Sequence, residues 1–471
     1  MTIARAELGT RESPPSPEPE AVDGAIARCR AVLTAIFGDA AQRPFDVKYW
    51  NGVVDRGFNV RPPYTFVLNQ PGALRRMLFP PNEMSIAEAF ILGDVDIEGS
   101  MEAASNLAAS IGNRLRSPAA IARLVRLVHR LPNNADDDLA TTRFPDTARK
   151  LGPRHDPVRD AAAIQFHYDI GNDFYQLWLD KRMVYSCAYF QSPTDNLDAA
   201  QEAKLELICR KLRLRPGERL LDIGCGWGGL IMYAAERFGV DATGITLSRQ
   251  QAALASERIK KAGLADRCRV EIRDYRTLND ADNFDKISSV GMVEHVGLTH
   301  LPVYFASAFR ALKAGGLFLN HGIVSLSEPR PRSIGEKIFR KFWRADAFID
   351  TYVFPDGKLT AADDVLAAAE GVGFEVRDME SLREHYAMTL RHWVSSLERQ
   401  TDEATAIVGS RTYRVWRLYM AASAKAFSSA AINVIQTLLA KPDASGKTNI
   451  PLTRDDIYAD FGKSLSEPGV A

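Results

Sequence analysis

The stretch LLDIGCGWGGL, residues 220–230, sets Asp222 two positions before Gly224 and then supplies Gly226, Gly228 and Gly229. Gly224, Gly226 and Gly229 satisfy G-x-G-x-x-G, a loop that lets backbone approach a polar or anionic ligand at a helix N-terminus. Nicotinamide, flavin and S-adenosylmethionine (SAM) binders all use glycine in this place, so the loop alone does not choose among them. A dinucleotide site would place an acid about 20 residues on, at the end of the next strand. Here VDATGITLS ends in Thr246, Leu247 and Ser248, and Asp241 stands at the wrong end. The acid inside the strand before the glycines favours SAM, with Thr246, Ser248 and Gln251 left to hold the ribose.

Other residue types capable of chemistry stand in four short runs. Cys187 lies in MVYSCAYF, Glu294 in GMVEHVG, His321 and Ile323 in NHGIV, and Tyr386 in EHYAMTL. Taken singly, each has a plain structural reading. A lone cysteine is more often a small buried residue than a nucleophile. His321 follows an apolar strand and could be a satisfied core histidine, Glu294 and His295 could cap a helix, and Tyr386 could be a half-buried aromatic.

The elements needed to hold these runs are visible in the pattern. RLLDIGCG, VDATGITLS, CRVEIRD, FDKISSVGM and GGLFLNHGIV are strand-like, each followed by a helix or loop, which implies a mostly parallel sheet covered on both faces. Ahead of them, FDVKYWNG and YTFVLNQP read as two short strands, and MSIAEAFILGDVDIEG as a helix closing in a Gly-Asp turn. Residues 1–20, rich in Pro, Glu and Ser, are expected to be disordered. A small α+β domain is expected over 21–135, a linker over 136–159 and the catalytic domain over 160–471, with an insertion near 328–350.

The 471 residues carry 59 Lys and Arg against 59 Asp and Glu, so bulk charge points to no nucleic-acid partner. Five scattered cysteines without CxxC spacing argue against a zinc site or disulfide framework and for a reducing compartment. No run of about 18 apolar residues occurs, and the N-terminus lacks a signal-peptide core. Two basic amphipathic stretches suit a lipid surface: PAAIARLVRLVHRL (118–131) and GEKIFRKFWRADAF (335–348). For the first, apolar packing on the domain with arginines in water is the preferred reading. For the second, interfacial helix, lid and plain packing stay open.

FHYDIGNDFYQLWLDKRMVYSCAYF (166–190), the glycine loop, TGITLSRQQ, SVGMVEHVG and LFLNHGIV together resemble the cyclopropane fatty acid synthases and the related mycolic acid methyltransferases, over roughly 160–400. The resemblance implies a Rossmann-like SAM-dependent methyltransferase domain with a seven-stranded, mostly parallel sheet. It implies methyl transfer from SAM to the cis double bond of an acyl chain of a membrane phospholipid, then ring closure with a bound bicarbonate ion as base. By resemblance Cys187, Glu294, His321, Ile323 and Tyr386 surround the bicarbonate, so Cys187 is neither nucleophile nor metal ligand. Tyr185, Ser186, Asp222, Gly224, Gly226, Thr246, Leu247, Ser248, Gln251, Asp274 and Tyr275 fall on the SAM side. Asp274–Tyr275 departs from the mycolic acid enzymes, which have Gly-Trp there. Tyr168, Tyr185, Tyr189 and Phe190 are the aromatic candidates to face a carbocation, and His167 and Asp169 the candidates to order a flap over SAM. The resemblance also implies a cytoplasmic enzyme on the inner membrane face, and a homodimer. A methylene-branched product, a small-molecule methyltransferase and a non-catalytic lipid-binding protein are the alternatives.

Overall fold

The computed structural model describes residues 19–80, 82–105, 107, 118–133, 170–326, 347–354, 357, 359–448, 450–459 and 461. Residues 1–18 of the segment expected to be disordered, the 136–159 linker, His167, Tyr168, Asp169 and residues 328–346 of the insertion lie outside them. The described end of the insertion opens the short helix Ala347–Tyr352. The chain divides into two compact units, residues 1–100 with 106–139, and residues 101–105 with 140–471.

In the first unit α1 (Pro19–Phe37) precedes β1 (Asp46–Lys48), β2 (Val54–Asp55) and β3 (Tyr64–Leu68). Helices α2 (Ala73–Leu78) and α3 (Glu83–Ile91), strand β4 (Val95–Gly99) and helix α4 (Pro118–Val128) follow. The sheet order is β2-β1-β3-β4. One expectation is corrected here. The turn at Gly93, with φ +84°, does end the helix, but VDIEG runs on as a strand paired antiparallel to β3. Its alternation puts Val95 and Ile97 into the core. In α4, Leu124 and Val128, with Leu131 beyond it, are buried while Arg123, Arg126 and Arg130 are exposed, in keeping with the packing reading of this stretch.

The second unit is built on β5 (Arg219–Ile223), β6 (Asp241–Thr246), β7 (Cys268–Ile272), β8 (Phe284–Val290) and β9 (Leu312–Ser325), all parallel, the five strands read from the pattern. Strands β10 (Thr360–Ala361), β11 (Glu375–Ser381) and β12 (Ile432–Ala440) complete it. The order is β11-β12-β9-β8-β5-β6-β7, seven strands in a row, with β10 an eighth beside β9. Only β12 breaks the parallel run, antiparallel to both β9 and β11.

Helices α5 (Asn172–Gln176), α6 (Leu197–Lys211), α7 (Gly229–Phe238), α8 (Arg249–Lys261) and α9 (Val293–Val296) precede α10 (Leu301–Ala311) and α11 (Ala362–Gly371). Two long helices follow, α12 (Arg383–Arg399) and α13 (Thr401–Ser428), the latter broken at Gly409, before the chain returns to the sheet as β12. Strand side chains alternate between two cores. Leu220, Leu317 and Leu319 pack with Leu205, Ile208 and Ile231 of α6 and α7, while Leu221, Ile287 and Phe318 pack with Phe305 and Phe374 on the other face. A sheet buried on both faces leaves the strand C-termini as the place where polar groups can meet a ligand.

Candidate active site

At the C-terminal end of β5 the chain turns through Gly224, Gly226 and Gly228, all at positive φ (+82°, +54° and +80°). The Gly224 and Cys225 N–H groups both donate to Ile245 O of β6 (2.9 and 3.1 Å), which ties the loop to the neighbouring strand. A Cβ on Gly224 would lie 2.5 Å from Met292 Cγ, whereas one on Gly226 would meet nothing within 4 Å. Gly226 faces a pocket whose wall includes Tyr185, Ser186, Asp222, Gly224, Thr246, Leu247, Gln251 and Tyr275.

Two residues expected at the cofactor are not among those lining the pocket. Ser248 is fully buried and caps α8, its Oγ accepting from Gln251 N (3.2 Å). The spacing Ser-Arg-Gln-Gln is a capping-box pattern, a signal present in the sequence. Asp274 caps a single turn and grips Arg276 through both carboxylate oxygens, the closest contact 2.6 Å. Gln251 does face the pocket; its Oε1 accepts from Thr246 Oγ1 (2.9 Å), which leaves its NH2 for a ligand. Asp222 accepts from Ser288 Oγ (2.8 Å), and burial raises its pKa to about 6.

Tyr185 and Ser186 lie in a segment without regular structure, so side chains must hold it. The Asp180 carboxylate accepts from the N–H groups of Arg182 and Val184, both at 2.8 Å, shaping the turn that leads in. From α6, Gln201 Nε2 donates to Val184 O (3.2 Å) and Ser186 O (2.9 Å), and Lys204 Nζ donates to Ser186 Oγ (2.8 Å). Lys204 is 1% exposed and burial pushes its pKa down to about 8. An ammonium can only donate, so the Ser186 hydroxyl accepts from it and turns its own hydrogen elsewhere. Lys204 also lines the pocket, although in AKLELICRK it reads as an ordinary helical lysine. We expect Lys204→Met to weaken SAM binding about tenfold, the worth of one charge-assisted bond. Calorimetry should also show wild-type affinity falling as pH rises through about 8, where Lys204 loses its charge, with no such step in the variant.

The second group of expected residues gathers along β9 where its neighbour β8 ends. Pairing of β8 with β9 stops at Val290–His321, and Gly291 N donates to His321 O (2.9 Å). The next N–H on that edge, Ile323 N, donates instead to Glu294 Oε1 (2.6 Å), so a side chain of α9 continues where the strand has ended. Glu294 Oε2 is closed off from solvent and has no hydrogen-bond partner among the described residues. Burial raises the Glu294 pKa to about 7, against the opposing pull of the Ile323 N–H. His321 is 2% exposed; its Nδ1 meets Gln436 Nε2 at 3.1 Å and its Nε2 is likewise without a partner among the described residues.

The remaining two residues are tied to the same strand end through β12. Val434 pairs with Ile323, and Val434 O accepts from Leu382 N at the head of α12. Leu382 O accepts from Tyr386 N (3.0 Å) and lies 3.7 Å from Cys187 Sγ. Cys187 is fully buried and desolvation drives its thiol pKa well up, so it is no thiolate nucleophile. All five cysteines are free and buried.

Between the two groups stands a buried aromatic cluster. Tyr185 lies 5.2 Å from Trp393, 5.4 Å from Trp178 and 6.0 Å from Trp416, and Trp393 lies 6.0 Å from Tyr386. Of the aromatics expected to face a cation, Tyr185 is in this cluster. Tyr189 instead stacks on His385 and Phe190 on His392. Trp178 lies within the 166–190 run, but Trp393 and Trp416 carry no local signal in the sequence, because they come from α12 and α13, far along the chain. Trp227, 4.8 Å from Tyr175, donates from Nε1 to Asn172 Oδ1 (2.7 Å).

A family model for mycolic acid cyclopropane synthetase matches residues 155–437. A probable fatty acid methyltransferase of Pseudomonas putida is 40% identical over 88% of this chain and 96% of its own length. The cyclopropane-fatty-acyl-phospholipid synthase of Escherichia coli K12 is 36% identical over 64% of this chain and 75% of its own. Among solved structures, mycolic acid cyclopropane synthase CmaA1 complexed with SAH and CTAB aligns with a TM-score of 0.55 at 35% identity, covering 59% of this chain and 97% of that one. The chain belongs to the mycolic acid cyclopropane synthetase family, a family of SAM-dependent, lipid-modifying methyltransferases.

Proposed function

We propose that the chain methylates the cis double bond of unsaturated acyl chains in membrane phospholipids and closes a cyclopropane ring, with bicarbonate as the base. The observation that carries this reading is the pair of buried, unmatched atoms at one strand end, Glu294 Oε2 and His321 Nε2. A buried acceptor and a buried ring nitrogen, each without a partner among the described residues, suit a small ion that both donates and accepts, as bicarbonate does. When bound, bicarbonate would supply the base that takes a proton from the newly transferred methyl group.

The residues of the chain divide the remaining work. Gly224, Gly226, Thr246, Leu247, Gln251 and Tyr275 would hold SAM, whose sulfonium methyl is the group transferred, while Ser186 and Lys204 face the same pocket. An alkene is a weak nucleophile, so alignment in a dry site supplies much of the acceleration. Trp178, Trp393 and Trp416, at 1%, 1% and 2% exposure, exclude water, and the faces of Tyr185 and these tryptophans can stabilise positive charge on the chain. Glu294 would accept a hydrogen bond from the hydroxyl of the bound ion and so fix its orientation, and Cys187, Ile323 and Tyr386 would complete the walls.

A second reading has its own support. The Pseudomonas putida relative, at 40% identity, is a probable fatty acid methyltransferase rather than a cyclopropane synthase. A hydride shift before proton loss from the methyl group would give a methylene branch of the same mass as the ring. No described helix is long and apolar enough to cross a membrane, and we place the enzyme on the cytoplasmic membrane surface, as a homodimer. The test is incubation with SAM and phospholipid vesicles bearing cis-monounsaturated chains, with and without bicarbonate, followed by mass spectrometry and proton NMR of the fatty acid esters. A cyclopropyl product, heavier by one methylene and slower to form without bicarbonate, supports the reading. A vinylic methylene signal selects the second reading, and no mass gain despite SAM binding removes both.

A further inference from the structure

Lys211 closes α6 with its side chain 1% exposed. Its Nζ donates to Gln436 Oε1 (2.9 Å) and pairs with the Glu380 carboxylate, and Asp378 Oδ2 lies 3.9 Å away. An ammonium has donors and no acceptor, so the amide atom turned towards it must be the oxygen. That fixes the other end of Gln436 as the NH2, and this is the group 3.1 Å from His321 Nδ1. Nδ1 therefore accepts. Burial and the nearby charges of Lys204 and Lys211 hold the ring neutral. A neutral imidazole whose Nδ1 accepts carries its hydrogen on Nε2.

The arrangement is set by sheet register and not by a loop. Gln436 and His321 are direct partners across β12 and β9, so their side chains share one face, and Lys211 reaches them from the helix covering that face. Nε2 is the ring atom left without a partner among the described residues, at the same strand end as Glu294. The opposite tautomer would turn a lone pair towards any anion bound there.

We propose that Lys211 and Gln436 are positioning residues that hold His321 in the Nε2–H tautomer, as a hydrogen-bond donor to the anion bound beside Glu294. This rests on the bicarbonate reading for the identity of the anion, but not for the tautomer. The relay acts at a distance from the reacting atoms: neither Lys211 nor Gln436 touches substrate.

The test is nitrogen NMR of the full chain labelled at histidine, with the His321 ring signals assigned by their loss in His321→Gln. The wild-type ring should show a protonated Nε2 and a bare Nδ1; a protonated Nδ1 would overturn the proposal without any further variant. Gln436→Glu presents only acceptors to both Lys211 and His321, so it should move the hydrogen to Nδ1. Turnover should then fall about 10²-fold, as for loss of one preorganised donor, with SAM affinity unchanged. An inverted tautomer with unchanged turnover would also overturn it. Turnover indifferent to bicarbonate, with the wild-type tautomer as stated, would sink the reading of the anion while the NMR result upheld the relay.

Discussion

Replacing Glu294 by glutamine should leave the protein folded and able to bind SAM, and should cut turnover about a thousandfold. The amide oxygen can keep the bond from Ile323 N–H, which Glu294 Oε1 accepts at 2.6 Å. The NH2 then occupies the place of Oε2, the buried atom without a partner among the described residues, and a donor replaces the acceptor that the proposed bicarbonate would meet. Correctly placed acid–base partners contribute about 10²–10⁴ in rate, and the loss should fall on kcat and not on SAM affinity. At fixed bicarbonate, wild-type kcat should rise through about pH 7 as Glu294 ionises, and the variant should lack that limb.

Stability should move the other way. Burial raises the Glu294 pKa from an ordinary 4.5 to about 7, so the native state binds more protons than the unfolded chain between those values. Its contribution is fully present below pH 4.5 and is lost as pH rises through 7, by about 3 kcal/mol. A glutamine at this position does not titrate, so E294Q should melt at or above the wild-type temperature at pH 8. Denaturant titrations at pH 5 and pH 8 would measure the difference.

The second large effect concerns two neighbouring glycines that alanine should separate. Gly226→Ala should keep the fold at a cost of about 1 kcal/mol for its left-handed backbone (φ +54°), because no atom lies within 4 Å of the new Cβ. The methyl group enters the pocket instead, and turnover should drop about 10²-fold, the cost of displacing a bound reactant by about 1 Å. Gly224→Ala should lose both, since its φ is +82° and its Cβ would lie 2.5 Å from Met292 Cγ and 2.7 Å from its Sδ. Left-handed backbone and overpacking together should cost about 2–3 kcal/mol of stability. Thermal melts beside SAM calorimetry would tell the two apart.

What the sequence shows of this site is what is local in the chain. The glycine loop, NHGIV and the five parallel strands are contiguous motifs, and each sits where its pattern indicates. The short strand Val95–Gly99 hides behind a helix signal that ends only two residues before the turn at Gly93. Support residues are harder to see because their roles depend on contacts far along the chain. Gln201 and Lys204 hold Tyr185–Ser186 across 15–18 residues, and Lys211 reaches Gln436 across 225. In a helix such side chains look like those facing water. Ser248 shows the converse: a polar residue beside a ligand pocket whose hydroxyl is occupied by a helix cap.

Ring closure as proposed requires that the hydrogen lost after methyl transfer come from the transferred methyl group. The most direct measurement uses SAM carrying a fully deuterated methyl group, with unsaturated phospholipid vesicles and bicarbonate, and proton and deuterium NMR of the product esters. The product should be a cyclopropane that keeps two of the three deuterons on the bridging carbon, because the base proposed at Glu294 and His321 removes the third from the transferred methyl. A branched chain keeping all three would show that the proton leaves from the acyl chain, and would contradict the role given to that pair.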